Sequence, residues 1–220
     1  MTHGAISNPA GAGVFRLAAV VLGAGLSTRM GKPKLLLPWR GRTILGHLLH
    51  QWTELGSGQL AVVCAPAPCA VQEELDRLGV PATERILNPE PARGMFSSIR
   101  CAAVWPGWRP EISHWALILG DQPHLRVTTL QKLIGHAREH SECICQPTHS
   151  GRPRHPVVLP HRFFRRLAQA GEAHLKEFLE RHRDAVSLCR VDDPGLDLDV
   201  DEPGDYEHAL RTFGGQEAVP

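Results

Sequence analysis

Three glycines, an arginine and a lysine fall within a dozen residues, as Gly23, Gly25, Arg29, Gly31 and Lys34. Glycine lets backbone approach a ligand closely and offers N–H groups as anion donors, while Arg29 and Lys34 add fixed positive charge. Such a set suits a triphosphate. Two familiar phosphate loops do not describe it. The Gly-x-Gly-x-x-Gly pattern fails because Thr28 stands where the third glycine belongs, and the four-residue spacer followed by Gly-Lys-Ser/Thr is absent.

Carboxylates form the second constellation. Asp121 follows an apolar run, Trp115-Ala116-Leu117-Ile118-Leu119, and a glycine. A carboxylate at the end of a strand can hold Mg²⁺ beside nucleotide phosphates, and it can equally stabilise its own turn. Asp197, Asp199 and Asp201 alternate in what reads as an extended run, so all three should project from one face. Like charges side by side need solvent or a cation between them, which leaves an exposed edge and a metal site as the two readings. Asp201 also stands where it could cap a helix opened by Pro203. Asn88 and Gly94-Met95-Phe96-Ser97-Ser98 offer hydrogen-bonding groups at a helix start, either to a ligand or to local backbone. Cys143, Cys145, His149 and His155 match no standard zinc spacing, and the two cysteines read as buried thiols on one face of a strand.

The elements that must position these groups follow from the periodicity. Leu17 to Leu22 is an apolar run breaking into the glycine loop, the pattern of a strand buried on both faces. Thr43 caps a helix whose Ile44, Leu45, Leu48, Leu49 and Trp52 fall at helical spacing. Strands at 60–64, 85–87 and 115–119 alternate with helices at 71–78, 94–103 and 127–140. Further on, strands are expected at 143–146, 156–159 and 185–191, helices at 163–169 and 173–181, and a last helix from Pro203 to Arg211. Nearly all-apolar strands alternating with helices predict an α/β fold, three-layer and Rossmann-like, with a mostly parallel sheet covered by helices on both faces. Right-handed crossovers then gather the loops after the strands along one rim, where ligands bind.

At 220 residues the chain can bury one sizeable core, and it is read as one domain over residues 16–213 behind a flexible leader at 1–15. Its 24 basic and 23 acidic residues leave a formal net charge of +1, which points to neither a nucleic-acid partner nor a membrane surface. No stretch reaches the roughly 20 apolar residues of a membrane span, and the first residues lack the basic and apolar regions of an export signal, so a cytoplasmic location is expected. Six cysteines without framework spacing read as free thiols there.

The run from Gly25 to Gly31 with Lys34, followed by Leu36-Leu37-Pro38-Trp39 and Gly41-Arg42-Thr43-Ile44-Leu45, resembles the nucleotide-binding start of the molybdenum-cofactor nucleotidyltransferases. The Leu-Pro-Trp and Thr-Ile-Leu elements look most like the cytidylyltransferases of that family. The resemblance extends from about Ala18 to Ala209, through Asn88, Gly94 to Ser98, Gly120-Asp121-Gln122-Pro123, His155-Pro156-Val157 and Asp199 to Tyr206. It implies a fold of the nucleotide-diphospho-sugar transferase type and a Mg²⁺-dependent transfer of CMP from CTP to molybdopterin-bound molybdenum, with release of pyrophosphate. Arg29, Lys34 and Asp121 would be catalytic. The nucleotide would be held by Leu22, Gly23, Ala24, Gly25, Ser27, Arg29, Lys34, Asn88, Gly94 and Ser97. Asp121 and Asp199 would ligate Mg²⁺, with Asp201 as the substitute for Asp199. Ala24-Gly25 stands where guanine-using relatives tend to have two glycines, which favours cytosine. The implied partners are the NTP, a phosphorylated pterin acceptor and a molybdoenzyme that receives the product. Two departures concern the acceptor side: Arg154 replaces the glycine of a Gly-His-Pro turn, and Gly171-Glu172-Ala173-His174-Leu175-Lys176 replaces a Gly-Asp-x-Gly run. Two other functions stay open, an NTP transferase using CTP or GTP on another phosphorylated acceptor and a non-catalytic carrier of the molybdenum cofactor.

Overall fold

The computed structural model describes residues 14–25 and 27–214; the leader expected over 1–15 lies, up to residue 13, outside the described residues. The apolar runs form the strands β1 (Leu17–Leu22), β4 (Gln59–Cys64), β5 (Arg85–Leu87), β6 (His114–Leu119), β7 (Ile144–His149), β9 (Val157–Pro160) and β10 (Val186–Arg190). Short pairings β2 (Pro38–Trp39) with β3 (Arg42–Thr43), and β8 (Arg152–Pro153) with β7, complete the set. The main sheet runs β10-β7-β9-β6-β1-β4-β5. β1 pairs parallel with both β4 and β6, β4 with β5, and β7 with β10, whereas β9 runs antiparallel to β6 and β7. The reversed β9, with the short antiparallel β8 on β7, makes the sheet mixed but mostly parallel.

Among the described residues seven α-helices cover it: α1 (Ile44–Glu54), α2 (Ala70–Arg77), α3 (Met95–Val104), α4 (Val127–Glu139), α5 (His161–Arg166), α6 (Leu175–Arg181) and α7 (Pro203–Phe213). Period-2 alternation in β1 divides the core. Leu17, Ala19 and Val21 pack with α1, α2, α4 and α7, while Ala18 and Val20 pack on the other face with α3, α5 and α6. Each fully buried Val or Leu in these layers contributes about 1.5–3 kcal/mol, so a sheet this apolar fixes its own register. Thr43 caps α1 as expected, its hydroxyl accepting from Gly46 N at 3.0 Å. All six cysteines are free; Cys64, Cys145 and Cys189 are buried, whereas Cys69, Cys101 and Cys143 are only partly so. Burial pushes the Cys64 and Cys145 thiols up to about 12, which keeps them protonated and inert. Among the described residues no helix is long and apolar enough to cross a membrane.

Residues 196–201 correct the expectation of an extended run. Pro194–Asp197 is instead a short 3₁₀ turn opened by Asp193, so Asp197, Asp199 and Asp201 do not share one face. The cause is local. Asp193 is fully buried, and its carboxylate accepts from Gly195 N at 3.0 Å and from Thr129 Oγ1 at 2.7 Å, while Pro194 presets the first turn position. His124 bonds the Gly195 carbonyl at 2.8 Å and fastens the turn to the loop after β6. Asp201 does not cap α7 either: Glu202 does, in a reciprocal capping box with Asp205. Two smaller differences concern the C-terminal helices. α5 is a short helix continued by a 3₁₀ turn to Gln169, and α6 begins at Leu175 rather than Ala173.

Removing the buried carboxylate by Asp193→Ala strands the Thr129 hydroxyl and the Gly195 N–H. We expect the unfolding free energy to fall by about 2–3 kcal/mol, read from the urea midpoint.

Candidate functional site

The C-terminal ends of β1, β4 and β6 open on one rim, as parallel pairing requires. From β1 the chain turns through Gly23, whose N–H donates to Val63 O at 2.8 Å. A Cβ at Gly23 would lie 3.0 Å from that same carbonyl, so glycine permits this backbone-to-backbone approach. Past Gly25 the chain re-engages when Ser27 Oγ accepts from Lys34 N at 3.2 Å, closing the loop and aiming Lys34 back over the rim.

Lys34 is the hub. Its Nζ donates to Asp121 Oδ2 and to Asp201 Oδ1, each at 3.2 Å, and reaches Val200 O at 3.4 Å. Arg29 is exposed and holds the other oxygen of Asp201 at 2.9 Å. The two chain segments bearing these carboxylates are tied directly, since Val200 N donates to Asp121 O at 2.9 Å. Asp199 takes a different partner, accepting from Gln122 Nε2 at 2.9 Å. Asp199 keeps contact with solvent, yet the surrounding protein desolvates its carboxyl and, with help from Asp121 and Asp201, holds it above the usual carboxylate range. Asp121 Oδ1 is buried and has no hydrogen-bond partner. Among the described residues no three His, Cys, Asp or Glu side chains already form a metal cage. That is compatible with Mg²⁺, which is bound through one or two carboxylates together with substrate phosphates.

Beside this cluster lies a hollow of about 340 Å³ lined by Leu22, Ala24, Gly25, Lys34, Gly94 and Asp121. Six of the sequence-derived residues thus share one concavity. Ser98, Pro91, Ala92, Met95, Leu119 and Gly120 complete its wall. Ser98 and Met95 lie in the motif singled out by sequence, and Gly120 adjoins Asp121; no sequence signal marks Pro91 or Ala92. Gly94 opens α3 at φ 87°, a left-handed conformation that favours glycine, and so brings the first turn of that helix to the hollow. The helix N-terminus adds a partial positive charge there.

Three expected nucleotide contacts are spent inside the protein. Asn88 is buried, its amide donating to Ser97 Oγ at 2.8 Å and Ser98 Oγ at 3.0 Å while its oxygen accepts from Glu90 N. Ser97 in turn donates to Gly94 O at 2.7 Å. Ser27 fastens its own loop, as described. These residues, like Gly23, shape the hollow and do not line it.

A second cavity of about 620 Å³ adjoins the first, sharing Met95. His155 lines it, and burial lowers that histidine to about 4, so its ring is neutral at ordinary pH. Arg154 also lines it, with Nε donating to Asp197 Oδ1 at 2.8 Å and Nη2 bonding the same oxygen.

The family model described as MobA-like NTP transferase domain matches residues 19–186. The molybdenum cofactor cytidylyltransferase of Escherichia coli (strain K12) is 27% identical over 195 residues, covering 88% of this chain and 95% of that protein. Nicotine blue oxidoreductase of Paenarthrobacter nicotinovorans is 28% identical over 193 residues, covering 83% and 90%. The crystal structure of Rv0371c from Mycobacterium tuberculosis H37Rv superposes with a TM-score of 0.71 at 28% identity, covering 90% of this chain and 98% of that one. A manganese complex of Rv0371c gives 0.67. The fold is that of the nucleotide-diphospho-sugar transferases, as the family resemblance implies, and its mostly parallel sheet is the one anticipated from the strand and helix pattern.

The raised pKa of Asp199 carries a sign. Its native state binds a proton more tightly than the unfolded chain, so this group's contribution to stability falls as pH rises from the unfolded value near 3.8 through the raised native one. Asp199→Asn should therefore be more stable than wild type at pH 7, with the gain disappearing below pH 3.8, as measured by urea unfolding at both pH values.

Proposed function

The chain belongs to the MobA-like NTP transferase family, and from that premise we propose that it transfers CMP from CTP to the phosphate of a molybdopterin-bound molybdenum acceptor, releasing pyrophosphate. One observation carries the reading: a single ammonium, Lys34 Nζ, is shared by carboxylates from two separate rim segments, at the wall of a hollow lined by the glycine loop. The cytidylyltransferase of E. coli supports the base and acceptor, and Ala24 in the hollow wall supports the base.

In this mechanism an oxygen of the acceptor phosphate attacks the α-phosphorus. The bond from that phosphorus to the bridging oxygen breaks, and pyrophosphate leaves with the electron pair. Negative charge grows on the α-phosphoryl oxygens and on the leaving group, so the protein's main contribution is fixed positive charge. Lys34 supplies it at the hollow wall and Arg29 from the exposed side. Ala24 and Gly25 provide backbone against which the nucleotide lies, and the first turn of α3 closes the opposite wall.

The donor set fits a divalent cation. Asp121 Oδ1 is buried without a hydrogen-bond partner, an acceptor left open for a cation. The manganese complex of Rv0371c supports the same choice of ion class. Mg²⁺ would be held by Asp121 with a carboxylate of the Asp199–Asp201 segment, Asp201 facing Lys34 and Asp199 being steadied by Gln122. When bound, it would neutralise phosphate charge and orient the triphosphate. Gln122 then acts as a positioning residue through its bond to Asp199.

Lys34→Ala and Asp121→Ala should each lower pyrophosphate release from CTP and a molybdopterin acceptor by at least about 100-fold, with unchanged far-UV circular dichroism. Near-wild-type turnover in either variant sinks the assignment. Calorimetric titration in Mg²⁺ should give CTP at least about ten-fold tighter binding than GTP, a difference of about 1.4 kcal/mol. Equal affinities would remove the cytosine preference and leave the transferase reading standing.

A further inference from the structure

The 620 Å³ cavity that shares Met95 with the hollow beside the Lys34 cluster takes no part in the chemistry described so far. Its composition says what would fill it. Met95, Leu179, Val186 and Leu188 give it an apolar wall, and Met95 and Leu188 are exposed although large and hydrophobic. At its edge Arg154, Lys176 and Arg183 carry three positive charges against the one negative charge of Glu180. A ligand with an apolar body and an anionic group matches both halves.

The three cations are not equivalent. Lys176 and Arg183 are almost fully exposed, and an ion on such a side chain is screened by water. Arg154 is less than a third exposed, and its backbone is fixed on both sides: its N–H donates to Pro147 O at 2.8 Å and its carbonyl accepts from Gln146 Nε2 at 3.3 Å. Its guanidinium spends two donors on one oxygen of Asp197 and keeps the rest of its five N–H groups. Asp197 is itself exposed, so the pair is worth little and a phosphate dianion competes for the same fork with more charge and more acceptor atoms. His155 lines the same cavity, its ring engaged by the Leu117 carbonyl and its Nδ1 buried without a partner.

We propose that Arg154 is the residue that selects the acceptor, exchanging Asp197 for the anionic group of a molecule whose apolar body lies against Met95 and Leu188. This rests on the transferase reading for its place in the reaction, since Met95 lines both this cavity and the nucleotide hollow.

Phenyl phosphate, with an apolar ring and a phosphate, is the probe. It is titrated into the full chain by calorimetry, with the nucleotide hollow filled by a CTP analogue carrying a methylene group between the α and β phosphates, which cannot release pyrophosphate. Wild type should bind it saturably. Arg154→Ala and Arg154→Lys should each weaken it by about ten-fold or more, because lysine lacks the planar fork. Asp197→Asn should tighten it at least about two-fold by freeing the guanidinium, and all variants should bind the analogue as wild type does. A merely structural ion pair predicts that Asp197→Asn weakens the probe as Arg154→Ala does. That result, undiminished binding by Arg154→Ala, or no binding by wild type overturns the proposal. Failure of the analogue to bind at all instead counts against the transferase reading, and the dependence of phenyl phosphate on Arg154 is still read without it.

Discussion

A single ammonium group shared by two carboxylates organises the rim of this protein. Lys34, Asp121 and Asp201 are 87 and 167 residues from one another along the chain, counted from the lysine. They meet because β1 and β6 are neighbours in the sheet and because Val200 is bonded to the backbone of Asp121. Desolvation displaces the Asp199 carboxyl upward, and the charges of Asp121 and Asp201 add to it. Carboxylates gathered in this way create a local need for positive charge. Lys34 meets it in the free protein, and a divalent ion with a bound triphosphate answers the same need in the proposed reaction.

Around that point the charge is unevenly distributed by design of the topology. The acidic cluster sits at the ends of β6 and of the Pro194–Asp197 turn, while the second cavity is edged by Arg154, Lys176 and Arg183. Two hollows of different character thus meet at Met95, one beside a carboxylate cluster and one apolar with a basic edge. A two-substrate transfer needs that arrangement: separate recognition of two ligands with their reactive groups brought to one place.

Fold alone would not have led here. A relative named as an oxidoreductase matches 83% of this chain, nearly as much as the 88% matched by one named as a cytidylyltransferase. The same architecture carries different chemistry, so function has to be argued from the site. What favours nucleotidyl transfer in this chain is the specific placement of Lys34 and Asp121 on the wall of the hollow.

Much of this was legible beforehand. Hydrophobic periodicity gives β1, β4, β6 and α1 nearly to the residue, because buried faces must repeat at the period of the backbone that carries them. The glycine loop and the aspartate after β6 announce a ligand rim for the same local reason, since short-range chemistry is written in adjacent residues. Contacts between distant segments are not. The alternation of Asp197, Asp199 and Asp201 suggests one shared face, yet buried Asp193 winds the turn and sends the three carboxylates to Arg154, to Gln122, and to Lys34 with Arg29. Asn88 and Ser97 have the right groups for a ligand and spend them on each other. Sequence determined which elements form and which residue types stand at the rim. Tertiary structure decided which of those side chains remain free to act, because a polar group's availability depends on every partner within hydrogen-bond reach, and those partners come from the whole fold.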